Sequence, residues 1–597
     1  MPPRRGMPTE KAKDFKGTLG KVINYLGGYR AGVIAVMICA VLSAVFHIVS
    51  PKILGKATTA LSEGLFGKIT GSGEIDFGYI GKILVTVMCL YGVSYIFSVV
   101  QGYTMSTITQ RLCYKLRREI MEKINRMPLK YFESRTHGEV LSRVTNDIDT
   151  FGNGFNQTVT QLITSVTMMI GVLIMMLTIS PFMTLITLLI LPLSVGFISV
   201  VMKRSQKYFR QQQEYLGHIN GQVEENYSGH LVVKAFGKEK DIIREFEGTN
   251  DVLYESAWKS QFLSGLMMPV MQFVGNLGYV GVAVSGAFLA VKGRISIGDI
   301  QAFISYVRNF TQPIQQIAQV TNMMQSMAAA AERVFEFLDE EEEDQTTENA
   351  VPVSDVKGVV DFRNVSFGYV PEQIVIKDFS AHVGKGEQIA IVGPTGAGKT
   401  TIVKLLMRFY DVNSGSIELD GHSLKEYNRS ELRNAFGMVL QDTWLFKGSI
   451  MENIRYGRLD ATDEEVIAAA KSAHADHFIK TLPGGYDFEL NEDATNVSAG
   501  QRQLLTIARA ILADNPVLIL DEATSSVDTR TEQRIQKAMD NLMKGRTSFV
   551  IAHRLSTIRN ADMILVMKDG DIIEQGSHDD LMDKKGFYAD LYNAQFA

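Results

Sequence analysis

Residues 387–409, EQIAIVGPTGAGKTTIVKLLMRF, decide how the second half of the chain folds. The stretch opens with an apolar run typical of a buried strand and closes with apolar residues at helical spacing. The P-loop pattern lies between them, at Gly393, Pro394, Thr395, Gly396, Ala397, Gly398, Lys399 and Thr400. Glycines in such a loop let backbone N–H groups surround phosphate oxygens at a helix N-terminus. The stretch therefore predicts an α/β domain with a phosphate-binding loop.

The residues that close this loop have specific expected partners. Lys399 is expected to reach the β- and γ-phosphates of a nucleotide, and the Thr400 hydroxyl to ligate Mg²⁺. Thr401 follows directly and is counted with the nucleotide-binding residues. The predicted cofactors are therefore ATP and Mg²⁺.

A second element of phosphate chemistry lies at residues 516–528, PVLILDEATSSVD. Residues 517–520 predict an apolar strand, and Asp521 at its end can hold Mg²⁺ through water. Glu522 follows and is placed to orient or deprotonate the attacking water. The alternative is a carboxylate pair at an ordinary strand end. Together with the P-loop, the pair predicts ATP hydrolysis.

The first half of the chain has a different texture, with long uncharged runs. A bilayer-crossing helix needs roughly 20 mostly apolar residues. Six stretches qualify, at residues 32–53, 80–100, 159–179, 183–202, 262–291 and 297–318. The alternative is a set of buried helices in a large soluble protein. We predict a membrane α-helical fold of six transmembrane helices with long cytoplasmic extensions, plus an α/β P-loop nucleotide-binding domain.

Charge distribution predicts orientation and domain boundaries. Lys and Arg are concentrated between spans two and three and between spans four and five, which indicates that both termini face the cytoplasm. The net charge of −5 is too small to suggest a nucleic-acid partner. The acidic run at 339–344, DEEEED, is interpreted as a solvated linker. The predicted domains are 1–325, transmembrane with an N-terminal elbow segment; 326–357, acidic linker; and 358–597, nucleotide-binding.

With these motifs in place, the chain resembles a half-transporter of the ATP-binding cassette (ABC) exporter family, type IV, in which a membrane domain is fused to a nucleotide-binding domain. The resemblance implies that Tyr369 in VSFGY stacks on adenine and that Gln441 in MVLQDTWLF senses Mg²⁺ and the attacking water. It also implies that Asp528 in SSVD is the D-loop aspartate and His553 in IAHRLSTI the switch histidine. Singly, these could be a strand-end aromatic, an exposed amide, a helix cap and a structural histidine.

The same resemblance interprets the two basic extensions. In this family they end in coupling helices that dock on nucleotide-binding domains, and the second reaches the domain of the partner subunit. The matching stretches are residues 138–150 and 227–236. The alternative for each is a solvated helical hairpin.

The family's signature sequence, usually Leu-Ser-Gly-Gly-Gln, is altered here to Val497-Ser498-Ala499-Gly500-Gln501. In the family this stretch binds the γ-phosphate of the nucleotide held by the partner, so Ser498, Gly500 and Gln501 remain candidate ligands. Ala499 adds a methyl group and is expected to restrict φ. The residues that serve this chain's own nucleotide keep the family pattern. This asymmetry resembles the catalytically competent subunit of bacterial heterodimeric multidrug exporters and predicts a second, different half-transporter as partner; a homodimer is the alternative.

The expected function is ATP-driven export of amphipathic or hydrophobic compounds, drugs or lipids, by alternating access. Methionine-rich spans fit varied apolar substrates such as drugs or lipids, and the alternative is that these methionines are ordinary lipid-facing or packing residues. The expected partners also include a small hydrophobic substrate and membrane lipids. The expected location is a bacterial cytoplasmic membrane, with a multi-pass chain. Alternatives are a homodimeric lipid or peptide exporter, an importer of the same fold and an ATP-gated channel.

Overall fold

The computed structural model describes residues 12–71, 74–354, 356–370, 372–440, 443–521, 528–551 and 555–596. Contacts divide the chain into two compact units. The helical unit comprises the residues up to Asn125 together with Arg135–Glu341, and the α/β unit comprises Arg126–Ser134 and the residues from Glu342 onward. This division does not test the predicted domain boundaries, which remain a prediction.

The described residues of the first half of the chain form helices joined by short connections. Its helices are α1 Phe15–Tyr25, α2 Arg30–Thr70, α3 Phe77–Ile124, α4 Leu129–Glu133, α5 His137–Ser142, α6 Ile148–Ile179, α7 Pro181–Ser228, α8 His230–Phe236, α9 Glu239–Gly265, α10 Met267–Val291 and α11 Ile297–Asp339. Local sequence fixes several boundaries. Ser180 caps α7, whose first residue is Pro181, and Ser296 and Asp299 form a capping box at the start of α11.

Helices occupy all six stretches that were predicted to span a membrane, and the fifth stretch is divided between α9 and α10. Within the described part of the chain, four helical segments are long and apolar enough to cross a bilayer: Phe15–Thr70, Phe77–Ile124, His137–Ile179 and Glu239–Val291. The helical membrane fold is therefore confirmed, whereas the exact number of six spans stays a prediction.

Helices α2 and α11 pack closely in the helical unit. A Cβ added to Gly298 would lie 1.8 Å from the carbonyl oxygen of Gly55, so the two backbones meet where neither residue has a side chain. Farther along the pair, the buried hydroxyl of Tyr306 donates a hydrogen bond of 2.9 Å to the carbonyl of Ile48. Small residues and a satisfied buried hydroxyl therefore hold this helix pair.

The α/β unit contains twelve described strands and ten helices beyond α4. The strands are β1 Val360–Phe367, β2 Ile376–Val383, β3 Gln388–Val392, β4 Ser414–Leu419, β5 His422–Ser423, β6 Phe436–Val439, β7 Gly448–Ser449, β8 Glu489–Leu490, β9 Val517–Asp521, β10 Thr547–Ile551, β11 Met563–Lys568 and β12 Asp571–Gly576. The helices are α12 Lys399–Leu406, α13 Arg429–Arg433, α14 Ile450–Arg455, α15 Asp463–Ser472, α16 Asp476–Ile479, α17 Ala499–Ala513, α18 Thr529–Met543, α19 Leu555–Arg559, α20 His578–Lys584 and α21 Phe587–Phe596.

These strands form two main sheets. The larger has the order β12-β11-β3-β10-β9-β6, and its strands run parallel except for β12, which pairs antiparallel with β11. The smaller sheet, β2-β1-β4-β5, is antiparallel, and β7 pairs with β8. Apolar residues such as Ile391 in β3 and Ile519 in β9 are buried, which explains why the central strands read as continuous apolar runs.

The acidic run after α11 differs from the solvated linker that its charge suggested. Helix α11 continues to Asp339, so the first part of the predicted linker is helical. The side chain of Glu343 is only 5% exposed and lies 3.0 Å from Arg433 and 3.5 Å from Arg429. The interpretation as solvated is therefore wrong for Glu343, because arginines about ninety positions away neutralise its charge on burial.

The first basic extension also differs from its prediction. Residues 126–134, which include α4, belong to the α/β unit, whereas residues 138–150 belong to the helical unit. The stretch of this extension that packs with the α/β unit is therefore 126–134, which corrects the choice of residues 138–150. For the second extension, the side chains of Leu231 and Phe236 in α8 are 82% and 75% exposed in the single chain. Docking of residues 227–236 on a partner remains a prediction.

Candidate nucleotide-binding site

The P-loop links the end of β3 to the start of α12, as its sequence predicted. Gly396 and Gly398 have φ values of +86° and +102°, in the left-handed region that glycine adopts without strain. A Cβ on Gly398 would lie 2.7 Å from Cδ1 of Ile376, so this position has no room for a side chain. Apart from its neighbours in the chain, no described atom lies within 4 Å of the corresponding position at Gly396. The loop is thus tight against the protein on one side and open on the other.

Lys399 bends back over the loop that precedes it. Its Nζ donates hydrogen bonds to the carbonyl oxygens of Gly393, at 2.7 Å, and Pro394, at 3.1 Å. Burial lowers the pKa of Lys399 overall, although the negative charge of Asp521 partly opposes this shift. Phosphate oxygens in the loop would compete with these neutral carbonyls for the ammonium group, and charge-assisted hydrogen bonds are the stronger kind.

The strand order brings the predicted site elements to one edge of the larger sheet. Strands β3, β10, β9 and β6 are neighbours and parallel, so their carboxyl ends lie together, which is where ligands bind in such sheets. The P-loop follows β3, and Asp521 ends β9 in register with Ile551 at the end of β10. Gln441, Glu522 and His553 lie outside the described residues. In sequence they follow β6, β9 and β10 within two positions.

Tyr369 follows β1 and lies beside the helix that the P-loop starts. Its hydroxyl is 3.2 Å from the Thr401 hydroxyl in α12. The ring makes edge-to-face contacts with Phe367 and Tyr410, each with a centroid distance of 5.1 Å. Aromatic neighbours and one hydroxyl contact therefore hold the ring of Tyr369 near the loop.

Helix α17 begins at the altered signature sequence. Ser498 caps it: the Ser498 hydroxyl accepts from the backbone N–H of Gln501 at 3.2 Å, and the Gln501 side chain accepts from the N–H of Ser498 at 2.8 Å. Gly500 is buried in the first turn. Ala499 is the first helical residue and has no positive φ, so the expected restriction of φ has no consequence there.

Backbone strain lies instead at Ala494, which sequence reasoning missed. Its φ of +48° places an alanine in the left-handed region, and its side chain is buried. The Ala494 carbonyl accepts a hydrogen bond of 3.2 Å from Arg502 in α17, which ties this turn to the signature helix. Nothing in the local residue pattern distinguishes such an alanine from an ordinary loop residue.

Asp528 is the N-cap of α18, as one of its two readings allowed. Its carboxylate accepts hydrogen bonds from the backbone N–H groups of Thr531, at 3.0 Å, and Arg530, at 3.1 Å. These bonds, that of Thr531 first, lower the pKa of Asp528. The D-loop role remains a prediction, because capping does not test it.

The oxygen groups near the loop suit a hard divalent cation. Thr400, in the first turn of α12, supplies a hydroxyl, and Asp521 a carboxylate, which are ligand types that Mg²⁺ prefers. Within the described residues there is no cluster of three or more His, Cys, Asp or Glu side chains that could hold a metal. P-loop proteins hold Mg²⁺ largely through nucleotide phosphates and a few protein oxygens, so the residues present fit the ion.

Comparison with known proteins agrees with this geometry. Residues 33–314 match the family described as ABC transporter transmembrane region, and residues 376–525 match the family described as ABC transporter. The ATP-binding protein YfiC of Bacillus subtilis, described as an uncharacterized ABC transporter, is 46% identical over 98% of this chain and 95% of its own length. The chain belongs to the ABC transporter family.

Two further relatives carry more specific descriptions. The fatty acid ABC transporter ATP-binding/permease protein of Mycobacterium bovis is 42% identical over 98% of each chain. The ATP-dependent lipid A-core flippase of Desulfotalea psychrophila is 36% identical over 92% of this ABC transporter and 96% of its own length. The fused membrane and ATP-binding regions make this ABC transporter a half-transporter of the exporter type and an ATPase coupled to transport.

Proposed function

We propose that this ABC transporter exports amphipathic or hydrophobic compounds, lipids or drugs, across a bacterial cytoplasmic membrane, with both termini in the cytoplasm. The observation that carries the proposal is the P-loop, with Lys399 and Asp521 at one sheet edge, in a chain that also contains long apolar helices. Relatives described as fatty acid and lipid A-core transporters support a lipid-like substrate class. Domains at 1–325, 326–357 and 358–597 belong to this proposal.

Each site residue has a proposed task toward ATP. Gly393–Thr401 surround the phosphates: Lys399 exchanges its loop carbonyls for phosphate oxygens, and Thr400 with Asp521 holds Mg²⁺, which neutralises phosphate charge when bound. Glu522 orients the attacking water and withdraws its proton. Gln441 and His553 contact the water and the γ-phosphate, and Tyr369 stacks on adenine. These tasks follow the family pattern at matching positions.

We further propose a heterodimer with a second half-transporter. Ser498, Gly500 and Gln501 at the start of α17 would face the partner's nucleotide, and Asp528 would be the D-loop aspartate. The carboxylate and P-loop positions of this chain keep the family pattern, whereas Val497 and Ala499 in the signature sequence depart from it. The site built on this chain's own P-loop is then the one that hydrolyses ATP rapidly.

Replacement of Glu522 by Gln tests the catalytic assignment. The amide keeps the size of the side chain but cannot accept a proton, so ATP hydrolysis by the purified complex should fall about 100-fold or more while ATP binding persists. Glu431→Gln changes an exposed carboxylate in the same unit and should leave hydrolysis unchanged. Normal turnover by the Glu522→Gln complex would refute the role of Glu522.

A further inference from the structure

One carboxylate of the first basic extension binds two of the side chains that contact Tyr369. Glu133 is the last residue of α4, which lies in the α/β unit. Its Oε1 accepts a hydrogen bond of 2.6 Å from Nζ of Lys404, and its Oε2 accepts one of 2.5 Å from the hydroxyl of Tyr410. Both oxygens of this side chain are therefore engaged by residues that follow the P-loop.

The same two partners contact the ring of Tyr369. Nζ of Lys404 lies 5.4 Å from the ring centroid, a cation–π distance, and Tyr410 meets the ring edge-to-face. Phe367 contacts Tyr369 and Tyr410 alike. Glu133 thus binds two of the side chains that contact Tyr369, namely Lys404 and Tyr410.

Glu133 and Lys404 each stabilise the charged form of the other. Burial alone would raise the pKa of Glu133, but the hydrogen bonds from Lys404 and Tyr410 and the charge of Lys404 lower it overall. Burial alone would lower the pKa of Lys404, and its hydrogen bond to Glu133 raises it overall. The ion pair therefore stays charged at neutral pH, with 38% and 25% of the two side chains exposed.

The first residue of the segment 126–134 also contacts the rest of the α/β unit. The backbone N–H of Glu343 donates to the carbonyl of Arg126 at 2.8 Å, and the Arg126 guanidinium lies 3.4 Å from Glu342. Glu343 is in turn buried against Arg433 and Arg429. Residues 126–134 are thus held at both ends in the α/β unit.

We propose that Glu133 is a positioning residue that orients Tyr369 for adenine through Lys404 and Tyr410. The inference rests on the proposed role of Tyr369 in ATP binding. Because coupling between two binding events is reciprocal, adenine binding that orders the Tyr369 surroundings also strengthens the attachment of α4. Binding of the adenine base and packing of α4 in the α/β unit then stabilise each other without a direct contact.

A comparison of two phosphate probes in the full-length complex tests this role. Glu133→Ala should weaken Mg-ATP binding about three- to tenfold, the range expected for misplaced aromatic and cation–π partners. Binding of Mg-tripolyphosphate, which has no base, should change less than about twofold. Glu133→Gln, which loses the charge but keeps an acceptor for Tyr410, should give a smaller effect on ATP.

Three controls separate the possible outcomes. In a Tyr369→Ala background the Glu133→Ala change should no longer affect ATP binding, and Glu431→Gln should affect neither probe. Any one of three results would overturn the positioning role without affecting the P-loop assignment. They are equally weakened binding of ATP and tripolyphosphate, an effect of Glu133→Ala that persists in the Tyr369→Ala background, and unchanged ATP binding. If Lys399→Ala weakened neither probe, the P-loop assignment would fail and the role of Glu133 with it.

Discussion

Two alanines, one in the turn before α17 and one at the start of that helix, differ in backbone strain. Ala494 has a φ of +48°, whereas Ala499, five positions later, starts a regular helix. The left-handed conformation costs a residue with a Cβ about 1–2 kcal/mol, and glycine largely escapes that cost. Glycine would therefore relieve backbone strain at Ala494 and not at Ala499 in the altered signature sequence.

We expect opposite effects when each alanine is replaced by glycine. Ala494→Gly should stabilise the α/β unit by up to about 1 kcal/mol, because it removes strain that outweighs the added freedom of the unfolded chain. Ala499→Gly should destabilise it by up to about 1 kcal/mol, since glycine is the poorer helix former. Differential scanning calorimetry of the full-length protein measures both changes, and stabilisation by Ala499→Gly with none by Ala494→Gly would contradict the assignment of strain.

At the residue scale, sequence was informative wherever chemistry demands one residue type. The P-loop glycines were foreseeable, because a tight turn around phosphate accepts few other residues. The left-handed Ala494 was not foreseeable, since tertiary contacts impose its conformation against its preference.

The positions of the helices were predicted from the sequence, but the packing of the first extension and of the linker was not. Apolar periodicity located the helices of the first half, yet it could not show that residues 126–134 pack with the α/β unit. The burial of Glu343 depends on Arg429 and Arg433, which are distant in sequence, so a local charge run suggested exposure instead. Both errors share one cause, because pairing between remote segments leaves no local pattern.

The start of α17 is the element on which the heterodimer depends. If residues 497–501 face a partner's nucleotide, the complex extracted with a co-expressed second half-transporter should contain one copy of each chain. Native mass spectrometry of the detergent-solubilised complex measures this directly. This chain expressed alone is the control, and an active complex of two identical copies would contradict the heterodimer.

For the whole molecule, the division into a helical and an α/β unit followed from composition. One half has long uncharged runs, whereas in the other half charged residues are mixed in and apolar and polar residues alternate. The number of membrane-crossing helices does not follow as firmly. The sixth predicted stretch carries Arg308 and several glutamines, so its apolar character is weak. Polar groups at that depth are compatible with a span only where they face the protein interior or a cavity.

The central claim is that ATP hydrolysis at this chain's own P-loop drives export. Sealed inside-out vesicles that contain the complete complex, supplied with ATP and a fluorescent lipid analogue or amphipathic dye, test it most directly. We predict ATP-dependent accumulation of the probe inside the vesicles against its gradient, abolished by Glu522→Gln and retained by Glu431→Gln. Movement of the probe only down its gradient, or accumulation undiminished by Glu522→Gln, would contradict the account.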